Sequence, residues 1–266
     1  MCQDCGCEAG NAKAMHHVHG HTHDHPHGHT HDHTHDGLPP HEHHHDHHEE
    51  RRVLDLSQAV LAENDRIAHG NATMFQQRGI TALNLISSPG SGKTTLLEKT
   101  LDAFRGELPC AVLTGDQQTD HDARRLKDRG APVAQIETHS SCHLDAKRIQ
   151  PFLHETLLPE TRLLFIENVG NLVCPAAFQL GETFKIALLS TTEGEDKPLK
   201  YPVLFSLAPV VILTKMDLAP YLDWQLHECV AAIRRVRPDA QIFPLSAKTG
   251  EGMDRWLDYL RHLCSL

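Results

Sequence analysis

The chain has 266 residues and a formal charge of −10 with histidine neutral; of its 24 histidines, 17 fall between His16 and His48. No Lys/Arg cluster forms a basic stripe, which argues against a nucleic-acid partner, and no apolar run approaches the ~18 residues of a membrane span. Eight cysteines are enough for a disulfide framework. Three of them crowd the first seven positions, however, so reduced, metal-binding thiols in the cytoplasm fit better.

The first ten residues are polar, unlike a secretory signal. Within them Cys2-Gln3-Asp4-Cys5-Gly6-Cys7 puts three thiolates within reach of one soft or borderline cation. Residues 11–50 are histidine-rich and nearly devoid of apolar side chains, and cannot bury enough surface to offset ordering entropy. They read as a disordered metal-binding segment that repeats His-x-His, with His-Thr-His-Asp-His at His21–His25 and again at His29–His33. Neutral imidazoles there suit Ni²⁺, Zn²⁺, Cu²⁺ and Co²⁺, and with pKa values near ~6.5 the arm gains positive charge on mild acidification.

Residues 51–266 read as one α/β domain. An amphipathic stretch runs from Val53 to Ala68. Short apolar runs then mark strands at Ala82–Ser87, Cys110–Thr114, Val133–Glu137, Leu163–Glu167, Thr183–Ser190, Val210–Leu213 and Gln241–Leu245. Helical patterns follow Gly92 and recur at Asp122–Arg129, Leu144–His154, Asp223–Arg235 and Gly252–Leu263. Alternation of this kind implies βαβ units and a mostly parallel sheet with helices on both faces. Ligands in such folds bind beyond the carboxyl ends of the strands.

The first strand leads into Ser88-Pro89-Gly90-Ser91-Gly92-Lys93-Thr94-Thr95, followed by a helical pattern. Glycines let backbone N–H groups turn toward phosphate oxygens, and the new helix adds its positive N-terminus. Lys93 is expected to reach the β and γ phosphates, and the Thr94 hydroxyl to ligate Mg²⁺. Ser87 stands where the phosphate-loop pattern has glycine. Further on, Thr214-Lys215-Met216-Asp217 resembles the guanine-reading Asn-Lys-x-Asp. Its Asp217 carboxylate can accept from the ring N–H and exocyclic amine that adenine lacks. Thr214 in place of Asn puts one supporting hydrogen bond in doubt. Ser246-Ala247-Lys248 matches the second base-contact loop, so GTP is expected rather than ATP.

Asp116 and Glu167, each closing a strand, are candidates to complete the magnesium shell. Asp122 either orients the attacking water or is simply an acid favoured by a helix N-terminus. Cys142-His143 after the third strand and Cys174 after the fourth offer two thiolates and an imidazole, a shell to be completed by a second copy or by water. Cys110, Cys229 and Cys264 sit in apolar or helical contexts and carry no expected role.

Together these motifs resemble the hydrogenase nickel-incorporation GTPases, the HypB family of the SIMIBI-class P-loop GTPases. The resemblance rests on Cys-x-x-Cys-Gly-Cys, the histidine-rich insert, Ser87–Thr95, Gly-Asp-Gln-Gln-Thr from Gly115, Glu-Asn-Val-Gly-Asn-Leu-Val-Cys-Pro at Glu167–Pro175, and Thr192–Pro198. It implies a GTP-dependent homodimer that delivers nickel to the NiFe hydrogenase large-subunit precursor with a HypA-type metallochaperone. It further implies that Cys142, His143 and Cys174 form the G-domain metal site near the dimer interface, occupied by Ni²⁺ or Zn²⁺, with Cys2, Cys5 and Cys7 the tighter nickel site. The competing readings are a nickel or zinc storage protein with a regulatory nucleotide-binding domain, a urease-type accessory GTPase, and an ATP-dependent metallochaperone.

Overall fold

The computed structural model describes residues 47–116, 121–138 and 141–265, with side chains from residue 58 onward except those of 121 and 122. The elements are α1 (His47–Gln77), β1 (Thr81–Ser87), α2 (Lys93–Phe104), β2 (Cys110–Asp116), α3 (His121–Leu126), β3 (Val133–Glu137), α4 (Ala146–Thr156), β4 (Leu163–Glu167), α5 (Cys174–Ala177), β5 (Phe184–Ser190), α6 (Lys197–Lys200), α7 (Pro202–Leu207), β6 (Val210–Thr214), α8 (Leu226–Val236), β7 (Gln241–Pro244) and α9 (Met253–Ser265). Helix α1 begins inside the segment assigned to the arm, the rest of which lies outside the described residues, as do Cys2, Cys5 and Cys7.

The strands form one sheet in the order β3-β2-β4-β1-β5-β6-β7, with parallel pairings. The chain winds to one side of β1 for β2, β3 and β4 and to the other for β5, β6 and β7. The reversal therefore falls at β1, the position where such sheets open a crevice for ligands. Side chains alternate between the two faces. Leu83, Leu85, Val112, Phe165, Leu188 and Ile212 pack against α2 and α9 through Leu97, Leu101, Trp256 and Leu260. Ala82, Leu113, Leu164 and Ile166 meet Phe75 of α1 and Ile149 and Leu153 of α4. Leu189, Val211 and Leu213 meet Leu204, Phe205 and Ile233 of α7 and α8. Burial on both faces is why the central strands read as unbroken apolar runs.

All seven strands fall where the sequence places them, to within two residues at either end. Helices differ more. Helix α1 runs nine residues beyond Ala68, and α3 stops at Leu126 because Asp128 takes a positive φ of 65° and Gly130 follows at 84°. The short helices α5, α6 and α7 and the 3₁₀ turns Thr191–Glu193 and Met216–Tyr221 contain too few residues to show a period.

Candidate nucleotide and metal site

The phosphate loop connects β1 to α2, and its last residue, Gly92, has a φ of 98° that L side chains rarely adopt. Helix α2 thus starts at Lys93 with its N–H groups facing a cavity of about 470 Å³. That cavity is lined by Pro89, Gly90, Gly92, Lys93, Thr94, Thr95, Asp116, Arg125, Glu167, Asn168, Gly170 and Lys215, among others. Lys93 Nζ donates to Ser87 Oγ at 2.7 Å, and Ser91 Oγ donates to the same oxygen at 2.5 Å. The residue that departs from the phosphate-loop pattern is therefore an acceptor that holds the lysine in the cradle. Thr94 Oγ1 donates to Glu167 Oε1 at 2.7 Å in an almost fully buried pair. Two hard oxygen donors converge there at the mouth of strands β1 and β4, and Asp116 at the end of β2 lines the same cavity. The donor set fits Mg²⁺. Asp122 belongs to the first turn of α3; its side chain lies outside the described part.

The loop after Glu167 passes directly over the phosphate loop. A Cβ on Gly170 would come within 2.9 Å of Pro89 Cα, so only glycine allows this approach. A second cavity of about 290 Å³ adjoins the first, sharing Gly92, Thr95 and Lys215, and is lined further by Thr214, Asp217, Leu218, Ser246, Ala247 and Lys248. Thr214 Oγ1 donates to the Ser91 carbonyl at 2.6 Å, and Lys215 Nζ to the Gly90 carbonyl at 2.7 Å. The base loop is tied to the phosphate loop at both residues, so a tie of the kind left in doubt by the missing Asn is made by threonine. Ser246 Oγ, fully buried, donates to Asp217 Oδ1 at 2.6 Å and accepts from Thr249 N, aiming the carboxylate.

Beyond β3 and β4 the ligand atoms of Cys142, His143 and Cys174 all lie within 4.8 Å of one another. Cys142 Sγ is 3.8 Å from His143 Nδ1, Cys142 is half-buried, and Cys174 is buried at the first turn of α5. The His143 ring lies against Phe178, centroids 4.0 Å apart. Burial lowers its pKa to about 4, assisted by nearby Arg148 and opposed by Asp145. A neutral imidazole beside two sulfur atoms is a ligand set for a borderline divalent cation.

The chain matches the CobW/HypB/UreG nucleotide-binding domain family over residues 81–244. It is 51% identical over 211 residues to the hydrogenase maturation factor HypB of Escherichia coli K12, covering 79% of this chain and 73% of that one. It belongs to the HypB family of hydrogenase maturation factors. Among solved structures, HypB from Helicobacter pylori in complex with nickel superposes with a TM-score of 0.72 at 38% identity, covering 76% of this chain and 95% of that one. HypB from Archaeoglobus fulgidus gives 0.72 at 35%, covering 77% and 100%. This HypB-family protein is accordingly a GTPase, and among the described residues no helix is long and apolar enough to cross a membrane.

Sequence reasoning missed two kinds of residue in this member of the family. Arg125 reaches the phosphate cavity from α3, donating to Thr95 Oγ1 at 2.9 Å and to Glu98 at 2.6 Å; the only signal was a basic residue shortly after Gly-Asp-Gln-Gln-Thr. Buried asparagines were missed as well. Asn64 and Asn71 of α1 bond across to Ala146, Gln179 and Leu180, and Asn84 and Asn168 bond to each other.

Proposed function

We propose that this GTPase binds nickel at Cys142, His143 and Cys174 and releases it, under control of the nucleotide, to a NiFe hydrogenase large-subunit precursor. The observation that carries the reading is the position of that three-ligand cluster. Its ligands follow β3 and β4, and the loop that leads from Glu167 at the end of β4 to Cys174 lines the phosphate cavity through Asn168 and Gly170. The similarity to a nickel-bound HypB structure supports nickel as the cargo. A two-sulfur, one-nitrogen set also suits Zn²⁺ as a resting occupant. The partners in this reading are a HypA-type metallochaperone and a second copy in a GTP-dependent homodimer, in the cytoplasm.

Each side chain then has a role. Lys93 and the N–H groups at the start of α2 stabilise charge on the transferred phosphoryl group, and Asp217, aimed by Ser246, reads guanine against adenine. Thr94, Glu167 and Asp116 hold Mg²⁺, which when bound neutralises phosphate charge. Asp122, in the first turn of α3, is the acid assigned to orient the attacking water. Cys2, Cys5 and Cys7 form a separate, tighter nickel site, and the histidine arm buffers further ions. Because coupling is reciprocal, a nucleotide that changes metal affinity is itself bound differently when metal is present.

The test is GTP hydrolysis and Ni²⁺ binding by the full chain, Lys93→Ala, the double variant Cys142→Ala/Cys174→Ala, and a chain lacking His16–His48. Turnover should vanish in Lys93→Ala. The cysteine double variant should lose a nucleotide-sensitive nickel site that the arm deletion retains. Nickel binding confined to the arm and indifferent to nucleotide would instead make this a storage protein.

A further inference from the structure

One residue of the metal loop is held from two sides by the nucleotide site. The backbone N–H of Leu144, adjacent to His143, donates to Asn168 Oδ1 at 3.1 Å, and Asn168 directly follows Glu167. On its other flank the Leu144 side chain fills the space that a side chain on Gly115 would need; a Cβ there would lie 2.8 Å from Leu144 Cγ. Gly115 directly precedes Asp116. The neighbours of both acids proposed for the magnesium shell therefore grip the neighbour of a proposed metal ligand.

The Asn168 carboxamide has no rotational choice. Its Oδ1 accepts from Leu144 N and from Val169 N at 3.0 Å, while its Nδ2 donates to Asn84 Oδ1 at 3.2 Å. Asn84 is fixed in turn, because its own Nδ2 donates to Glu182 Oε1 at 3.1 Å, leaving only its oxygen to face Asn168. Glu182 is pinned by Lys185 Nζ at 2.7 Å and by Leu180 N at 2.6 Å, inside a buried ion pair. Asn84 is fully buried and Asn168 nearly so. A buried carboxamide whose oxygen and nitrogen are both engaged is costly to misalign, since each lost partner leaves a desolvated polar group.

Building on the proposed coupling of nucleotide to metal, we infer that Asn168 is the positioning residue that transmits it. The carboxamide converts the placement of Glu167 into the placement of Leu144, and with it of Cys142 and His143. In the structure Glu167 accepts from Thr94; were that hydroxyl to turn to a bound Mg²⁺, Glu167 would lose this bond and re-aim, and Asn168 would shift with it. Asn84 acts one step behind, as the fixed wall against which the carboxamide is set.

The alkylation rate of Cys142 reads the metal loop without any metal, and peptide mass spectrometry resolves it from Cys2, Cys5 and Cys7. It is measured on the full chain saturated with Mg²⁺ and either GDP or a non-hydrolysable GTP analogue, together with amide exchange of the peptide bearing Leu144. In the wild type the two states should differ by about fivefold or more in Cys142 rate, the low end of ordinary coupling energies. In Asn168→Ala the ratio should collapse toward one and Leu144 exchange should become independent of nucleotide. Asn168→Asp keeps an acceptor for both N–H groups and should retain part of the ratio. Asn84→Ala, which touches neither site, should lower the ratio as well, and it decides the question if Asn168→Ala does not fold. A wild-type ratio preserved in Asn168→Ala, or in Asn84→Ala where that variant decides, overturns the role of Asn168 while leaving the coupled reading in place. A wild type without nucleotide sensitivity overturns the coupled reading itself, and this inference with it.

Discussion

Asp217 and Ser246 are 29 positions apart, yet the serine hydroxyl aims the carboxylate across the base cavity. A carboxylate so held, with no guanine N–H groups opposite it, is what an adenine nucleotide would meet. Asp217→Ala should therefore weaken GTP by about 1.5–3 kcal/mol, the usual range for hydrogen bonds to a charged group, and erase most of the preference over ATP. Competition of GTP and ATP for one fluorescent nucleotide measures both. The cysteines divide by environment in the same way. Burial pushes the Cys110 and Cys229 thiols up to about 12, with the nearby Cys264 and Glu195 respectively adding to the effect. Only the thiolate reacts, so both should resist iodoacetamide from pH 7 to 9.5 while the half-buried Cys142 is labelled. Labelling of Cys110 or Cys229 that climbs with pH across that window would contradict their environment.

At the scale of elements, the phosphate loop and the loop after β4 touch so closely that Gly170 leaves no room for a methyl group against Pro89. Gly170→Ala should lower stability to urea by about 1–3 kcal/mol, the range for forcing extra volume into a filled contact. It should raise the KM for GTP by forcing the loop away from the phosphates, an effect that titration of the variant with GTP would reveal. Helix α9 presents the opposite case. Trp256 is fully buried among Phe243 and Tyr259, and its indole N–H donates to Thr100 Oγ1 at 3.1 Å, fastening α9 to α2. Trp256→Ala should cost about 3–5 kcal/mol in urea unfolding, the range for emptying a core aromatic.

The phosphate loop, the base loop and the strands could be read from the sequence because each is a contiguous run whose chemistry is local. Ser87 and Thr214 looked like losses there, since a pattern records which residue is missing but not where its replacement points. Arg125 and Asn84 were not legible at all, and Asn168 was legible only as part of the Glu167–Pro175 run, without its bonding role. The partners that give these three residues their roles lie from 24 to 98 positions away, and neither a period nor a motif reports a bond made at that distance. Cys142, His143 and Cys174 lie between these cases. The residue types suggested a metal, but only the adjacency of β2 and β3, and of β2 and β4, brings the two loops together.

On the scale of the whole molecule, the sheet order sets the two specificities apart. The proposed metal ligands follow β3 and β4 on one side, the proposed base contacts follow β6 and β7 on the other, and the phosphate loop follows β1 between them. The free-energy effects of Asp217→Ala and Cys142→Ala on GTP affinity should then add to within about 0.5 kcal/mol, as for distant sites with no shared partner. Pairing Glu167→Gln with Cys142→Ala should break additivity, and a double-mutant cycle on nucleotide affinity tests both. The same arrangement bears on how such a chain can diverge over generations. Substitutions at one edge of the sheet can alter which purine is accepted, and substitutions toward the other can alter which ion is carried, each without disturbing its counterpart. A change at the β1–β4 seam reaches both traits at once, so variation should accumulate at the flanks while the seam stays fixed.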